Sequence, residues 1–225
     1  MIYSQTTPIS GVYYNDEKIG KIYKGSTKVY EYTGLPSAYS QLDYLASSGT
    51  QYIDTGFSPN QDSRMVLDFQ PLVNEAKIFA GCRVGNATTR AFTINSGNSA
   101  SARTFYFAID GSGNVNVGVF NLNRHVADLN KTSFLFDGVE KTTPEIEDFT
   151  AQNTIYLFAC NNRDTGSVNL QASCRIYSCK IYDNGVLVRD FIPCQRKSDD
   201  EYGMYDLVTK VFCTNQGEGD LIPPT

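Results

Sequence analysis

A chain of 225 residues, 41% of them hydrophobic, suits one large all-β domain with a small appendage, or two modest domains, and can fill a core. Charged residues are sparse at 19% and sum to −5, which argues against a nucleic-acid groove, and no apolar run approaches the roughly 20 residues of a membrane span. Fifteen Tyr and 13 Phe with no Trp form a strand-friendly aromatic set.

Residues 1–33 differ from the rest. Met1-Ile2-Tyr3-Ser4-Gln5 has neither the basic region nor the apolar run of a secretory signal. Residues 11–23 read as strand, polar turn and strand. Lys24-Gly25-Ser26-Thr27 is a second turn, and Lys28-Val29-Tyr30-Glu31-Tyr32 a third strand. Such a three-stranded meander is too small to hold a core alone, and its edges call for a neighbour. Residues 1–34 are therefore expected to be an anchoring or oligomerisation segment. Thr33-Gly34-Leu35-Pro36-Ser37 is the linker, and 38–225 the main domain.

From residue 38 onward, short strands follow one another. Residues 38–45 fit a helical turn or an opening strand, and 51–56 a short strand. Residues 64–70 alternate, with Met65, Leu67 and Phe69 on one side. Strands are expected at 77–82, 91–94 and 103–109, the last with Phe105, Phe107 and Ile109 on one face. Val115, Val117 and Val119 alternate after the turn at 110–114. Residues 132–136 run into Asp137-Gly138, a type I′ signal. Residues 154–159 form a nearly all-apolar strand, expected to be central. Residues 175–193 are a hairpin about Asn184-Gly185. A two-residue loop pairs Asp183 with Val186, Ile181 with Val188, Cys179 with Asp190 and Tyr177 with Ile192 on the core face. It pairs Tyr182 with Leu187, Lys180 with Arg189 and Ser178 with Phe191 on the other. Asp190 then needs a buried donor, from backbone N–H groups or an Arg. Strands at 203–206 and 210–213 close the chain. About a dozen short strands without a helical period or fixed repeat give an all-β antiparallel sandwich or barrel.

Six cysteines (82, 160, 174, 179, 194, 213) contain no Cys-x-x-Cys pair, and His125 has no Cys at metal spacing, so zinc is not expected. Without an export signal buried thiols are favoured, while the even number leaves a disulfide framework open. Asn86-Ala87-Thr88 and Asn130-Lys131-Thr132 match the glycosylation pattern, which matters only in a eukaryotic secretory route.

Three blocks resemble a known family. Leu45-Ala46-Ser47-Ser48-Gly49-Thr50-Gln51-Tyr52-Ile53-Asp54-Thr55-Gly56-Phe57 resembles the opening of laminin-G-like, concanavalin A-type jelly-roll domains of phage and prophage structural proteins. Residues 124–140, where Asp128-Leu129-Asn130-Lys131 leads to Phe136-Asp137-Gly138, resemble their middle hairpin, with Asp-Gly in place of the usual Asn-Gly. Residues 175–193, then Gly203-Met204-Tyr205-Asp206, Phe212 and Gly217-Glu218-Gly219, resemble the closing strands and tail. Lys21-Ile22-Tyr23-Lys24-Gly25-Ser26-Thr27-Lys28-Val29-Tyr30 is similar to short segments at the start of phage tail and virion proteins. The resemblance implies two curved antiparallel sheets in a jelly-roll sandwich. It also implies a bacteriophage virion protein of the tail fibre, baseplate or head decoration, assembled in the bacterial cytoplasm. Residues 1–34 would dock on other virion proteins and the sandwich would contact a host-surface glycan or cell-wall polymer. Fibre-type appendages are often trimeric, which extends to this chain as an expectation. A purely architectural decoration protein and a glycoside hydrolase stand as alternatives.

Glycanases of this architecture carry Glu-x-Asp-x-x-Glu on one strand. No such string occurs, and Glu145-Ile146-Glu147-Asp148 beside Pro144 reads as a solvated loop, so no enzyme is expected. His125 lacks a nucleophile-elbow partner and reads as structural. Calcium, the usual metal of such sandwiches, could use Asp110, Asn114, Asn162 and Asp164, although turn chemistry explains those residues without an ion. For glycan binding the candidate loops are Asn161-Asn162-Arg163-Asp164-Thr165-Gly166 and 83–90, with Arg83 and Arg90 as donors.

Overall fold

Alternate burial along single strands organises the molecule. The computed structural model describes residues 13–14, 17–18, 21–24, 27–31, 34–84, 91–98, 103–142, 145–162 and 167–225. At the N-terminus β1 (Tyr13–Tyr14) pairs with β2 (Glu17–Lys18), and β3 (Lys21–Lys24) with β4 (Thr27–Glu31), as two separate two-stranded ladders. Four short strands thus stand where the sequence suggests three, because Glu17–Lys18, assigned to a turn, pairs back on Tyr13–Tyr14.

The remaining strands follow in chain order. They begin with β5 (Tyr39–Gln41), β6 (Leu45–Ser48), β7 (Ile53–Asp54), β8 (Ser63–Pro71), β9 (Ile78–Arg83), β10 (Ala91–Asn98), β11 (Arg103–Ala108) and β12 (Val115–Val119). Next come β13 (His125–Asn130), β14 (Ser133–Phe136), β15 (Val139–Thr142), β16 (Tyr156–Leu157), β17 (Cys160–Asn162) and β18 (Ser167–Asn169). The last are β19 (Ser173–Asp183), β20 (Val186–Arg196), β21 (Tyr202–Asp206) and β22 (Phe212–Thr214). A ten-stranded sheet runs β15-β14-β13-β8-β19-β20-β21-β22, with β6 on β19 and β5 on β20. An eight-stranded sheet runs β12-β11-β10-β9-β16-β7, with β17 on β9 and β18 on β17. The two pack face to face as an antiparallel β-sandwich of the jelly-roll kind, with one parallel contact among the described residues, between β9 and β17.

Phenylalanines from both sheets fill the interior. Phe69 from the ten-stranded sheet meets Phe79 from the other at 4.7 Å between ring centroids. Phe136 and Phe134 likewise meet Phe105 (5.0 Å) and Phe107 (5.7 Å). The expected core faces of β8 and β11 hold: Met65, Leu67, Phe69, Phe105, Phe107 and Ile109 are all fully buried. His125 joins this layer, stacked on Phe136 at 4.7 Å. Its Nδ1 lies 2.7 Å from Asp137 Oδ2 and its Nε2 2.9 Å from Asn121 Oδ1, so both ring nitrogens are spent on structure. Both type I′ turns form, with positive φ at Asp137 (53°), Gly138 (74°), Asn184 (47°) and Gly185 (79°).

The strand expected over 154–159 is only β16. Phe158 sits in the left-handed region (φ 66°), which ends the ladder. Its N–H still donates to Phe79 O and its carbonyl accepts from Ala172, so the turn is held at both ends. Val119 is exposed at 73%, against its expected place on the face of Val117. Tyr106 pairs with Asn116 and Phe105 with Gly118, so Val117 is an extra residue. The parity resets there and Val119 turns outward.

The hairpin register changes in the same way. Asp183 pairs with Val186 and Tyr182 with Leu187 as expected, but Ile181 then pairs with Arg189 and Lys180 with Asp190. Val188 is the bulged residue, so Phe191, expected opposite Ser178 on the outer face, pairs with Cys179 and is fully buried. Asp190 therefore lies on the outer face, where Lys180 Nζ donates to its Oδ2 at 3.0 Å. The expected buried acid with backbone and Arg partners is instead Asp206, 1% exposed. Its Oδ1 accepts from the N–H groups of Asp190 (2.8 Å) and Val208 (3.0 Å), and its Oδ2 from Thr209 Oγ1 (2.5 Å). Arg189 Nε lies 3.6 Å from Asp206 Oδ2 and donates to Thr55 O at 3.0 Å, while Nη2 donates to Gly56 O at 3.0 Å. The same guanidinium thus ties the ten-stranded sheet to the turn after β7. In urea unfolding, Asp206→Ala is expected to cost about 3 kcal/mol, since it strands buried donors. Asp190→Ala should cost under about 1 kcal/mol, because its partner Lys180 is well exposed. The reverse order would disprove the register-based assignment.

Candidate functional site

Of the six sequence-selected ligand residues, Arg90, Arg163 and Asp164 lie outside the described residues. The other three come together. Arg83 ends β9, and the parallel pairing of β17 sets Asn162 opposite Arg83 and Asn161 opposite Cys82. They were expected on solvated loops, yet Asn161 and Asn162 are strand residues, and Asn162 is only 1% exposed. Asn161 is half-buried, and its Nδ2 donates to Thr154 Oγ1 at 3.2 Å. Asn153 joins the two strand ends, its Nδ2 donating to Asn161 O at 2.6 Å and to Arg83 O at 3.3 Å.

These contacts form the back of a cleft of about 280 Å³, lined in part by Arg83, Asp110, Phe149, Thr150, Gln152 and Asn153. Sequence reasoning missed the 149–153 segment. It carries no turn signature, and its docking on the loop before β8 brings it here: Ala151 N–H donates to Pro59 O at 2.8 Å and Gln61 N–H to Phe149 O at 3.3 Å. The cleft offers a guanidinium, a carboxylate, two amides, a hydroxyl and an aromatic ring. That set suits hydrogen bonding to a polyhydroxylated ligand.

Asp110 is the one carboxylate among the cleft's described lining residues. Glu147 N–H donates to Asp110 O at 3.0 Å, which sets the acidic 145–148 stretch beside the rim as exposed or half-buried coil. Cys82 also lines the cleft, but burial raises its thiol well above the ordinary range, and Cys160 and Asp110 push the same way. Such a thiol is no nucleophile at neutral pH. Among the described residues no three His, Cys, Asp or Glu side chains converge to hold a metal ion. Of the calcium candidates, Asn114 Oδ1 instead faces Asn95 Nδ2 at 3.4 Å.

A second group of side chains, on the outer face of the ten-stranded sheet, also escaped the sequence. Tyr44, Gln70, Arg124, Arg175 and Tyr177 meet there across four strands and loops. Alternation from the Asn184-Gly185 turn puts Tyr177 on the core face opposite Ile192, whereas the bulge at Tyr177 turns it outward.

No protein-family model and no curated protein matches the chain.

All six cysteines are free, five of them buried. Burial pushes the Cys160 thiol up to about 12, with Arg83 pulling back, and likewise the Cys194 thiol to about 12 and the Cys213 thiol to about 11. Unfolded thiols ionise near 9, so unfolding above that pH releases protons that the folded state retains. The stabilisation is complete below pH 9 and is lost as pH rises toward 11–12. The urea midpoint is expected to fall above pH 9, and Cys160→Ala should flatten that fall by up to about 1.4 kcal/mol per pH unit. An unchanged slope would contradict a buried thiol at 160.

Proposed function

We propose that the chain is a laminin-G-like bacteriophage virion protein whose sandwich adheres to a host-surface glycan or cell-wall polymer. The observation that carries it is the cleft beside Arg83. Arg83 lines it, the strand that carries Asn161 and Asn162 pairs beside Arg83 without lining the cleft, and amide, hydroxyl, guanidinium, carboxylate and ring groups are arranged around a volume that fits one or two sugar rings. The chemistry needed is binding without bond cleavage. Gln152 offers both donors and acceptors, Asn153 its Oδ1 only, since its Nδ2 is spent on Asn161 O and Arg83 O, Arg83 donates, Asp110 accepts, and Phe149 gives an apolar surface for a sugar face. The resemblance of 45–57 and 175–193 to laminin-G-like virion domains supplies the setting.

A second reading, an architectural decoration protein docked through residues 1–34, rests on a separate observation. Among the described residues β1–β4 pair only among themselves, in ladders that belong to neither sandwich sheet. The two readings are compatible, since one concerns the sandwich and the other the anchor.

Labelled protein is expected to be retained on purified host envelopes and released by soluble host polysaccharide. Arg83→Gln combined with Asn153→Ala should reduce retention at least tenfold while leaving the melting temperature within a few degrees. Retention on no envelope or glycan surface would overturn the adhesion reading. For the anchor, deletion of residues 1–34 is expected to abolish incorporation into particles. Particles that still carry the truncated chain would refute it.

A further inference from the structure

The outer face of the ten-stranded sheet is nearly self-neutralised. Arg64 forks onto Asp128 (2.8 and 2.6 Å), Arg124 onto Asp68 (2.7 and 2.6 Å), and Lys180 pairs with Asp190 (3.0 Å). Arg175 breaks the pattern. Among the described residues it has no carboxylate partner. Its Nη1 donates to Gln70 Oε1 at 3.2 Å, and its guanidinium carbon lies 4.5 Å from the ring centroid of Tyr44. An amide and an aromatic ring hold the group in place without neutralising it.

The surroundings are equally fixed. On β19, Ile176 pairs with Phe69 and Ser178 with Asp68, so Tyr177 is a bulged residue added to the outer face. Tyr177 Oη donates to the same Gln70 oxygen at 3.0 Å. Gln70 Nε2 donates to Leu122 O at 3.0 Å, which sets the amide's orientation. Arg124 covers one face of the Tyr177 ring at 3.6 Å, and Tyr44 meets Tyr177 edge-on at 5.5 Å. Arg124, Tyr177, Tyr44 and Arg175 therefore form a row, half-open to solvent, in which no group among the described residues takes up the Arg175 Nε and Nη2 donors, leaving them for a ligand.

We infer that this row is a binding site for a carboxylate-bearing saccharide, a uronic-acid glycan, separate from the cleft at Arg83. The guanidinium fork matches a carboxylate in two parallel hydrogen bonds, which a neutral sugar cannot use. Tyr44 and Tyr177 offer the apolar surface and phenolic oxygens that a pyranose ring takes up beside its carboxylate. A free-standing anion would use the fork and leave the tyrosines idle. An acidic peptide would not need a pair of rings set at a fixed angle. Preorganisation lowers the ordering cost of binding, because the Gln70 amide and the Asp68–Arg124 fork already hold the side chains in place. The site does not depend on the virion assignment or on the cleft.

The test is calorimetric titration of the whole chain with tetragalacturonate at low salt. Binding is expected, and the fully methyl-esterified tetramer should bind at least tenfold more weakly. Arg175→Gln should weaken tetragalacturonate at least tenfold. Arg175→Lys, which keeps the charge but loses the fork, should weaken it several-fold, as should Tyr44→Ala. Arg64→Gln, on the same face, should leave it unchanged. Circular dichroism and melting of each variant confirm the fold, and the esterified ligand makes the carboxylate test independent of any variant. Four results would overturn the inference. They are no binding, equal binding of the methyl ester, undiminished binding by folded Arg175→Gln, and competition by poly-glutamate as effective as by the saccharide.

Discussion

The two sheets share one interior, and that interior is built from rings. Phe69, Phe134 and Phe136 from one sheet interlock with Phe79, Phe105 and Phe107 from the other, and His125 fills the remaining slot through bonds to Asp137 and Asn121. Rings of this size accept little lateral error, because interiors are packed near crystalline density. Each strand must therefore deliver its large residue at a set position. Side chains alternate strictly, so a strand whose apolar residues fall out of phase can be corrected only by an extra residue. The bulges at Val117, Tyr177 and Val188 are such corrections.

Each correction also has an effect outside the core. The bulge at Val188 keeps Phe191 buried opposite Cys179 while turning Arg189 toward Thr55 and Gly56 and Asp190 toward Lys180. The bulge at Tyr177 keeps both Ile176 and Cys179 buried and places one more aromatic ring on the outer face. The surface chemistry of the ten-stranded sheet is thus partly a by-product of keeping the interior in register.

This explains which features were legible in the sequence. The core faces of β8 and β11 follow from alternation within one strand, and the turns at 137–138 and 184–185 from two-residue chemistry. Both are local. The pairing of Lys180 with Asp190 is not, since no residue type at Val188 announces a bulge. Nor could the sequence choose between Asp190 and Asp206 as the buried acid; the choice depends on parity across the hairpin. For the cleft, Arg83, Asn161 and Asn162 were reachable as polar residues in turn-rich stretches. Their direct apposition came from the parallel β9–β17 contact, and a composition argument has no term for strand neighbours. Residues 149–153 were invisible because coil that docks by its backbone leaves no side-chain pattern.

The buried thiols have a consequence for where such a chain can work. Thiol–disulfide exchange requires a thiolate that can reach its partner, and these sulfurs are both protonated and enclosed. The five buried sites should then be indifferent to redox potential, which leaves the half-buried Cys213 as the sixth. Moved from a reducing to an air-saturated medium, the folded chain should gain or lose no bond at those five sulfurs.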